Sequence, residues 1–424
     1  MFRSVIKSKL FKSTGIYTLT SLINASIPFL LIPFLTSHLS TEDYGVLSMT
    51  SIVLNILTPL VGFSAIGSIN RKYFDLENKN FARYVGNALY ILILSSIFLF
   101  LGAYFLGNKI SDYTHIPISW LYAIIIIAIA QFINLILLTI WQASENPIKF
   151  GVFQIAQSLL NFILTVIFIY SLGYDWEGRV ISQIIAAGLF TSIAFYILSK
   201  SSLLKFEFNI NDIKDILKFG APLIPHTLGG LLIAFTDRIL IANLINLNET
   251  GIYTLAYQIG SIIGIISASF NSAYVPWLYN NLNRNNEEIK LKIVKLTYIY
   301  FILLSIGAFI FFQFLKFGLN SFIDKEYSNA LSYSLWIILG YVFNGMYLMI
   351  SGFVFYAKKT GLLSIITILV SILNIPICYF MLLKYGTIGA SFSMTISFFI
   401  SFFFTWILSY YVYPMPWFYF LKKK

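Results

Sequence analysis

Apolar stretches long enough to cross a lipid bilayer recur along the whole chain, and only short polar gaps separate them. About 20 apolar residues span the hydrocarbon core of a membrane, and no gap is long enough for an independent soluble domain. Charged residues and clusters of Gly, Pro and Asn mark where each stretch ends. The pattern predicts about twelve transmembrane helices, near residues 13–37, 45–67, 84–107, 117–142, 150–172, 179–199, 216–245, 251–280, 292–317, 330–357, 361–384 and 387–412.

The composition also indicates a membrane protein. Of the 424 residues, 58% are hydrophobic and only 11% are charged, whereas about 25% of a typical soluble chain is charged. A soluble protein is thereby excluded. The single cysteine, Cys378, lies in an apolar stretch, so one chain offers no disulfide and no cysteine-based metal site. We therefore expect an all-α integral membrane protein.

The basic residues are distributed unevenly between the two sides of the predicted bundle. With both termini and the even-numbered connections on one side, 22 of the 28 Lys and Arg residues lie there and five lie opposite. Short loops rich in Lys and Arg stay in the cytoplasm, so we expect both termini to be cytoplasmic. The net charge of +11 then indicates attraction to anionic membrane lipids and no nucleic-acid partner.

The two halves of the chain resemble each other. Six helices per half is an even number, so both halves would enter the membrane in the same direction. We expect two pseudo-symmetric six-helix lobes, residues 1–200 and 201–424, which is an architecture of transporters that work by alternating access. Three matches occur in chain order at offsets of 213, 211 and about 207 residues: Ser158–Asn161 with Ser371–Asn374, Gly178 with Gly389, and Leu39–Gly45 with Leu247–Gly251.

Features that catalysis would need are missing from the sequence. The stretch Gly102–Lys109 lacks the Lys that follows the second Gly of a phosphate-binding loop, and it ends a membrane helix. His38, His115 and His226 are scattered, with none at the spacing of metal ligands. The outer connections are too short for a catalytic domain. The sequence predicts a protein that is not an enzyme and that uses no cofactor and no metal.

Asp237 and Arg238 are the only charged residues deep inside an apolar stretch. A charge at the centre of a membrane helix costs at least about 2.5–3.5 kcal/mol, so such residues face the bundle interior or a water-filled cavity. We expect Arg238 to bind substrate and Asp237 to serve substrate binding, ion coupling or gating. A structural ion pair with another helix, or extension of both side chains towards the interface, is the alternative.

The sign of these charges indicates an anionic ligand. Exporters of organic cations need buried carboxylates, but predicted helix 1 contains none. Arg238, together with Arg71 and Lys72 at the inner end of predicted helix 2, would suit phosphate, which a guanidinium binds through paired donors. The alternative for Arg71 and Lys72, that they only anchor the end of their helix, stays open.

Neutral residues inside the spans offer further candidates. Asn161 and Asn374 are two of several amides within the predicted helices, and a polar interior of this kind would suit sugar. Hydrogen bonding between helices is the alternative for any single amide. Gly260 and Gly264 have the spacing of small residues at which two helices pack closely.

Prolines occur in the first helix of each half: Pro28 and Pro33 in predicted helix 1, Pro222 and Pro225 in predicted helix 7. Proline removes a backbone hydrogen bond and permits a membrane helix to bend. These four residues are therefore candidate gating elements. Static kinks would account for them equally well.

Four stretches together resemble a known transporter family. The chain is similar over essentially its whole length to the O-antigen (Wzx-type) flippases of the multidrug/oligosaccharidyl-lipid/polysaccharide exporter superfamily. The stretches are Leu39–Gly45, Phe219–Pro225 onward through Asp237 and Arg238 to Tyr253, Trp176–Arg179, and Lys384–Ala390.

The resemblance implies a multi-pass protein of the bacterial inner (cytoplasmic) membrane in O-antigen and lipopolysaccharide biosynthesis. Such a protein flips undecaprenyl-diphosphate-linked oligosaccharide from the cytoplasmic to the periplasmic leaflet, coupled to an ion gradient. Asp237 and Arg238 match a charged pair that is characteristic of helix 7 in this group. The implied partners are the lipid-linked oligosaccharide, membrane lipids, and the polymerase and glycosyltransferases of the same pathway.

Other functions remain as alternatives. A multidrug/cation antiporter of the same superfamily is disfavoured by the missing acid of predicted helix 1. A lipid II flippase is disfavoured because those proteins resemble fourteen-helix chains. A membrane polymerase or ligase is disfavoured by the short outer loops, and a purely structural membrane protein gives no reason for an arginine deep in a span.

The predicted orientation can be tested by cysteine labelling of a Cys378→Ser chain. In intact cells, a membrane-impermeant maleimide should label Lys109→Cys but label Ser202→Cys only after the membrane is permeabilised. Labelling of position 202 in intact cells would place the connection between the two halves outside. In that case the predicted topology is wrong.

Overall fold

The computed structural model describes residues 9–283 and 286–418, and every regular element within these ranges is helical. A 3₁₀ turn at Val61–Ser64, a π turn at Ile167–Ser171 and a 3₁₀ turn at Lys325–Tyr327 connect or extend these helices. The α-helices are α1 (Lys9–His38), α2 (Thr41–Leu60), α3 (Ile66–Asp75), α4 (Asn78–Thr114), α5 (Ile118–Ala143), α6 (Pro147–Val166), α7 (Trp176–Lys200), α8 (Ile210–Gly220), α9 (Leu223–Leu244), α10 (Leu247–Leu282), α11 (Glu287–Phe322), α12 (Ala330–Tyr356), α13 (Thr360–Tyr385) and α14 (Thr387–Val412).

The helices have the lengths and apolarity of membrane spans. Ten spans of the described chain are long and apolar enough to cross a bilayer, and the broken pair Ile210–Gly229 and Ala234–Leu244 forms an eleventh. The shorter apolar stretch Leu22–His38 lies in α1. These twelve segments follow the order of the twelve predicted helices, so the prediction of an all-α, multi-pass membrane protein is confirmed. The orientation of the termini stays a prediction.

The chain divides into two compact units, Met1–Leu231 and Leu232–Lys424. The predicted boundary lies earlier, at residue 200, and the difference has a local cause. The connection after α7 lies against α4, where the backbone N–H of Lys205 donates to the carbonyl of Ala82 at 3.0 Å. A Cβ at Gly86 would overlap the backbone of Lys205. This connection therefore packs with the first unit, while the six-helix lobes 1–200 and 201–424 stay a prediction.

The second span breaks where the sequence predicts a continuous helix over 45–67. Gly62, Phe63 and Ser64 have φ angles of 64°, 49° and 54°, a left-handed conformation that cannot continue a right-handed helix. The backbone N–H of Gly62 donates to Ser95 Oγ at 2.9 Å, which satisfies one group freed by the break. A Cβ at Gly62 would overlap the Phe132 ring. Glycine is therefore needed here for both conformation and space.

Helix α8 packs against this break. A Cβ at Gly220, the last residue of α8, would overlap the carbonyl oxygen of Phe63. The side chain of Ile216 on α8 is fully buried in the hydrophobic core of the first unit, together with Val61 and Ile69. The end of α8 and the broken backbone of the second span thus form one packed contact.

In the second unit, α10 packs closely on α12. A Cβ at Gly260 would lie 2.6 Å from Ile337 Cγ2, and a Cβ at Gly264 would lie 2.5 Å from Tyr341 Cδ1. Both distances are too short for a side chain, so the two helices approach each other through these glycines. The interpretation of Gly260 and Gly264 as a close-packing pair is confirmed.

The repeated glycines have the same local role in both units. Gly178 lies in the first turn of α7, where a Cβ would lie 3.0 Å from Tyr174 Cβ in the preceding turn. Gly389 lies in the first turn of α14, where a Cβ would overlap the carbonyl of Met381 in α13. Each glycine permits a tight connection between the last two helices of its predicted half.

The two turns that the sequence repeat pairs also begin their helices in the same way. Ser40 caps α2 and accepts the backbone N–H of Asp43 at 3.1 Å. Asn246 caps α10 and accepts the backbone N–H of Glu249 at 2.8 Å. A capping side chain satisfies a helix N–H that otherwise has no partner, and the second helix of each predicted repeat begins in this way.

The segment after α14 folds back onto the second unit. Trp417 is 1% exposed, its ring centroid lies 5.5 Å from that of Phe353, and its carbonyl accepts the Tyr298 hydroxyl at 2.8 Å. A large aromatic side chain buried in this way contributes strongly to stability.

We expect Trp417→Ala to destabilise the second unit, because loss of a buried Trp costs about 3–5 kcal/mol in soluble proteins. Cys378 is the single cysteine of the chain and is buried, so a thiol-reactive dye reports thermal unfolding directly. The midpoint should fall in Trp417→Ala. Tyr411→Ala, which truncates a side chain that is 76% exposed, should leave it nearly unchanged, and equal midpoints for the two variants would contradict this account.

Candidate functional site

Asp237 and Arg238 are both buried near the C-terminal end of α9, with 7% and 5% of their surface exposed. Oδ1 of Asp237 accepts the backbone N–H of Arg238 at 2.8 Å. Oδ2 accepts the hydroxyl of Tyr253, on α10, at 2.5 Å. Both carboxylate oxygens are therefore hydrogen-bonded to groups other than the neighbouring guanidinium.

The Arg238 guanidinium lies on an aromatic ring instead of a carboxylate. Its Cζ atom is 3.7 Å from the centroid of Tyr257 and 5.4 Å from that of Phe235. Within the described ranges it makes no ion pair, and its buried Nε and Nη2 atoms have no hydrogen-bond partner. A buried donor without a partner costs about 1–3 kcal/mol, and more if it is charged. The guanidinium therefore has N–H donors that find no acceptor in the described part of this structure.

Tyrosines that were not among the sequence-predicted candidates build this site. The Tyr257 ring meets Tyr341 of α12 edge to face at 5.9 Å between centroids, and Gly264 gives Tyr341 the space to lie there. Tyr253 and Tyr257 are four residues apart on one helix, so they share a face. The four-residue spacing of Tyr253 and Tyr257 is a sequence signal for a shared helix face. In a chain with 28 tyrosines, it does not single out these two.

Asn374 joins two helices of the second unit. Its Nδ2 atom donates to Ser397 Oγ at 2.8 Å and lies 3.4 Å from Ser393 Oγ. The side chain is only 6% exposed. These bonds connect α13 to α14, as expected if Asn374 serves hydrogen bonding between helices, while its role in substrate binding stays a prediction.

Asn161 has a comparable position in the first unit, where Arg179 is its partner. The Nη1 atom of Arg179, in the first turn of α7, donates to Asn161 Oδ1 at 3.0 Å and to Thr165 Oγ1 at 2.7 Å. The sequence pattern places Arg179 at the outer edge of the bundle, because it predicts that the helix begins at residue 179. The helix begins at Trp176, so this cation points into the helical bundle. Asn161 also lines a polar cavity.

Arg71 and Lys72 lie on α3 beside an acid of α8. The Nη2 atom of Arg71 donates to both carboxylate oxygens of Asp215, at 3.1 and 2.8 Å, and Lys72 Nζ lies 3.7 Å from Oδ2. The Tyr84 hydroxyl donates a hydrogen bond to the same oxygen at 2.8 Å. Arg71 also lies over the ring of Phe219 at 4.9 Å. Both cations are thus engaged in holding α8, and phosphate binding by them stays a prediction.

The four candidate gating prolines fall at different places in their helices. Pro28 and Pro33 lie inside α1. Pro222 lies in the two-residue interruption between α8 and α9, and Pro225 lies in the first turn of α9. Gating by these residues stays a prediction.

Side chains that could share a metal ion do not cluster in the described part of the chain, where no group of three His, Cys, Asp or Glu residues occurs. The chemistry available at Arg238 is binding of an anion by a buried cation. Such binding is stronger where water is excluded and aromatic rings surround the charge, because electrostatic interactions are stronger in a low-dielectric medium.

Comparison with known families identifies two matches. Residues 10–281 match the family model described as "Polysaccharide biosynthesis protein", and residues 222–380 match the MatE family model. The first match covers more than half of the chain.

Three curated relatives are similar over most of their length. "Capsular polysaccharide biosynthesis protein CapF" of Staphylococcus aureus is 27% identical and covers 92% of this chain and 96% of its own. "Lsg locus putative protein 1" of Haemophilus influenzae is 24% identical, covering 87% and 90%. "Putative O-antigen transporter" of Shigella flexneri is 23% identical, covering 93% and 94%.

Solved transporter structures share the fold. An inward-facing multidrug resistance MATE family transporter of the MOP superfamily superposes with a TM-score of 0.70 at 14% identity, covering 93% of each chain. The lipid II flippase MurJ, in an inward closed conformation, superposes with a TM-score of 0.70 at 17% identity, covering 92% of this chain and 87% of its own. The chain therefore has a MATE-like transporter fold.

The geometry predicts that Arg71 anchors α8 through its pair with Asp215. Arg71→Gln and Asp215→Asn should then each lower the thermal midpoint slightly, because a partly exposed ion pair contributes at most about 1 kcal/mol to the free energy of unfolding. The double variant should lose less than the sum of the two single losses, because each single variant already removes the Arg71–Asp215 ion pair. Transport of lipid-linked oligosaccharide is the second readout: a much larger loss in Arg71→Gln than in Asp215→Asn would instead support phosphate binding by Arg71.

Proposed function

Because the chain belongs to the polysaccharide biosynthesis protein family, we propose that it flips undecaprenyl-diphosphate-linked oligosaccharide across the bacterial inner membrane. Movement would run from the cytoplasmic to the periplasmic leaflet by alternating access, driven by an ion gradient. The observation that carries the proposal is the Arg238 guanidinium, which is 5% exposed and has two nitrogen atoms without hydrogen-bond partners.

A diphosphate is the chemical group that such a guanidinium recognises best. Its N–H groups form a rigid planar fork that matches phosphate oxygens, and these charge-assisted bonds are about twice as strong as neutral ones. A buried cation whose N–H groups lack hydrogen-bond partners is expensive in a membrane protein. Binding of the diphosphate would supply acceptors for these N–H groups, so Arg238 would favour the substrate-bound state.

Asp237 is the natural candidate for ion coupling. Its carboxylate lies one residue from the proposed anion site and is held by Tyr253. A proton or metal cation that bound this carboxylate would compete with the hydroxyl of Tyr253 and change the charge beside Arg238. Substrate and coupling ion would then influence each other through adjacent residues of α9.

The alternative function, export of organic cations, finds less support in the described residues. A drug cation requires acceptor charge, but α1 carries no Asp or Glu and both oxygens of Asp237 are already hydrogen-bonded. The similarity to MATE transporters is 14% in sequence and concerns the fold alone.

Translocation of a fluorescent polyprenyl-diphosphate oligosaccharide in proteoliposomes tests the proposal. Arg238→Ala should slow transport by roughly 10- to 100-fold, since a hydrogen bond to a charged group contributes about 1.5–3 kcal/mol. Arg238→Lys should retain only part of the activity, because an ammonium group keeps the charge but loses the paired donors.

Lys316→Ala is the matched control, since it removes an exposed cation from α11 and should transport normally. Equal transport by wild type, Arg238→Lys and Arg238→Ala would exclude Arg238 as the anion anchor. A folded wild type that moves no lipid-linked oligosaccharide but exchanges an organic cation for protons would establish the antiporter function instead.

A further inference from the structure

A cavity of about 270 Å³ lies among α1, α5, α6 and α7 of the first unit. Its wall is polar although all four helices are apolar overall. Seven of its twelve lining residues carry a side-chain amide and one carries a hydroxyl, whereas only four are aliphatic. Hydrogen bonding between neighbouring helices explains an individual amide inside a membrane protein. It does not explain why seven amides line the same cavity.

Some of these side chains form a fixed frame. Ser158 of α6 donates its hydroxyl to the amide oxygen of Asn24 on α1, and Asn161 of α6 accepts from Arg179 of α7 at 3.0 Å. Asn134 of α5 accepts from Thr191 of α7 at 3.3 Å. These bonds connect the four helices, so the wall of the cavity is held in place by residues that are already satisfied.

Four glutamines complete the wall without such partners. In residues 9–283 and 286–418, the side-chain amides of Gln131, Gln154, Gln157 and Gln183 make no hydrogen bond. The Oε1 atom of Gln154 is fully buried and accepts no hydrogen bond. A buried polar atom without a partner is destabilising, and the other three glutamines are half-buried around the same space. Unpartnered amides from three helices thus leave hydrogen-bonding groups at the cavity that a polar ligand can satisfy.

The chemistry of the wall selects the class of ligand. None of the twelve lining residues is charged, and the nearby Arg179 already donates to Asn161 and Thr165, so the wall itself offers no charge to a phosphate or an organic cation. Each glutamine amide offers two donors and an acceptor, and a hydroxyl group is the partner that both donates and accepts. A neutral ligand with several hydroxyl groups therefore satisfies the wall, whereas an anion would leave the glutamine oxygens unpaired.

We propose that this cavity binds a sugar residue of the transported glycan, separately from the diphosphate site at Arg238. The volume is slightly below the roughly 300–1,000 Å³ of pockets for drug-sized ligands, which fits one sugar residue and not a whole oligosaccharide. The inference rests on the proposed function, because it requires the substrate to carry a glycan. It assigns selection among glycans to the first unit and recognition of the lipid diphosphate to the second.

Binding to the full-length protein in nanodiscs tests the inference with two probes. One is the lipid-linked oligosaccharide that accumulates in a strain that carries the chain's own polysaccharide genes but lacks this gene. The other is undecaprenyl diphosphate, which lacks the glycan. The ratio of their dissociation constants measures what the glycan contributes.

Wild type should bind the glycan-bearing probe more tightly. The double variant Gln157→Leu/Gln183→Leu should lose about tenfold or more of this ratio, since each hydrogen bond contributes roughly two- to tenfold in affinity. Its affinity for undecaprenyl diphosphate should stay at the wild-type value. Gln313→Leu, which changes a glutamine of α11 outside the cavity, is the matched control, and the thermal midpoint reported by Cys378 verifies that each variant is folded.

The experiment distinguishes failure of the sugar subsite from failure of the proposed function. Equal affinity of wild type for both probes, or an unchanged ratio in the double variant, would overturn the sugar subsite while leaving the diphosphate site intact. If wild type does not bind undecaprenyl diphosphate, the result counts against the proposed function itself. Tight binding of tetraphenylphosphonium that the double variant loses would reassign the cavity to an organic cation and overturn the inference.

Discussion

The second unit is organised around a cation in an apolar environment, and the hydrogen bond from Tyr253 to Asp237 determines what that cation can do. Asp237 and Arg238 are neighbours in α9, yet the carboxylate does not hydrogen-bond to the guanidinium. Instead the Tyr253 hydroxyl and the backbone hold both carboxylate oxygens. Arg238 lies on the ring of Tyr257, which stabilises a cation without using its N–H donors. The close approach of α10 and α12 at Gly264 in turn gives the neighbouring Tyr341 its position.

The repeat in the sequence accounts for the comparable positions that recur in both units, and the structure reveals where they diverged. Asn161 and Asn374 occupy matching stretches, and each bonds to the last helix of its own half. In the second unit the partners are serine hydroxyls, and the interaction is neutral. In the first unit the partner is Arg179, which brings a second cation among the membrane helices. The matching contact thus has a charged partner in the first unit and neutral partners in the second.

Much of the fold could be predicted from the sequence, because hydrophobic length fixes the membrane spans almost alone. The predicted close packing at Gly260 and Gly264 also holds, since small residues four apart let two membrane helices approach closely. The break at Gly62 was missed, because two of its three left-handed residues, Phe63 and Ser64, carry no sequence signal for that conformation. The burial of Asp237 and Arg238 followed from their position in an apolar stretch. Their aromatic and hydrogen-bonding partners lie on other helices, and the acid beside Arg71 lies 144 residues further along the chain, so tertiary packing alone reveals them.

The contact between Gly220 and Phe63 has a consequence for how the sequence can vary. A side chain at position 220 would overlap a carbonyl oxygen that is exposed only because the second span is broken there. Straightening the break would remove that carbonyl from the path of α8, and filling position 220 would require the break to move. The two positions are 157 residues apart in the sequence, yet a change at either one requires a change at the other. Homologues that lose the glycine should also have lost the left-handed turn, so this pair is expected to covary.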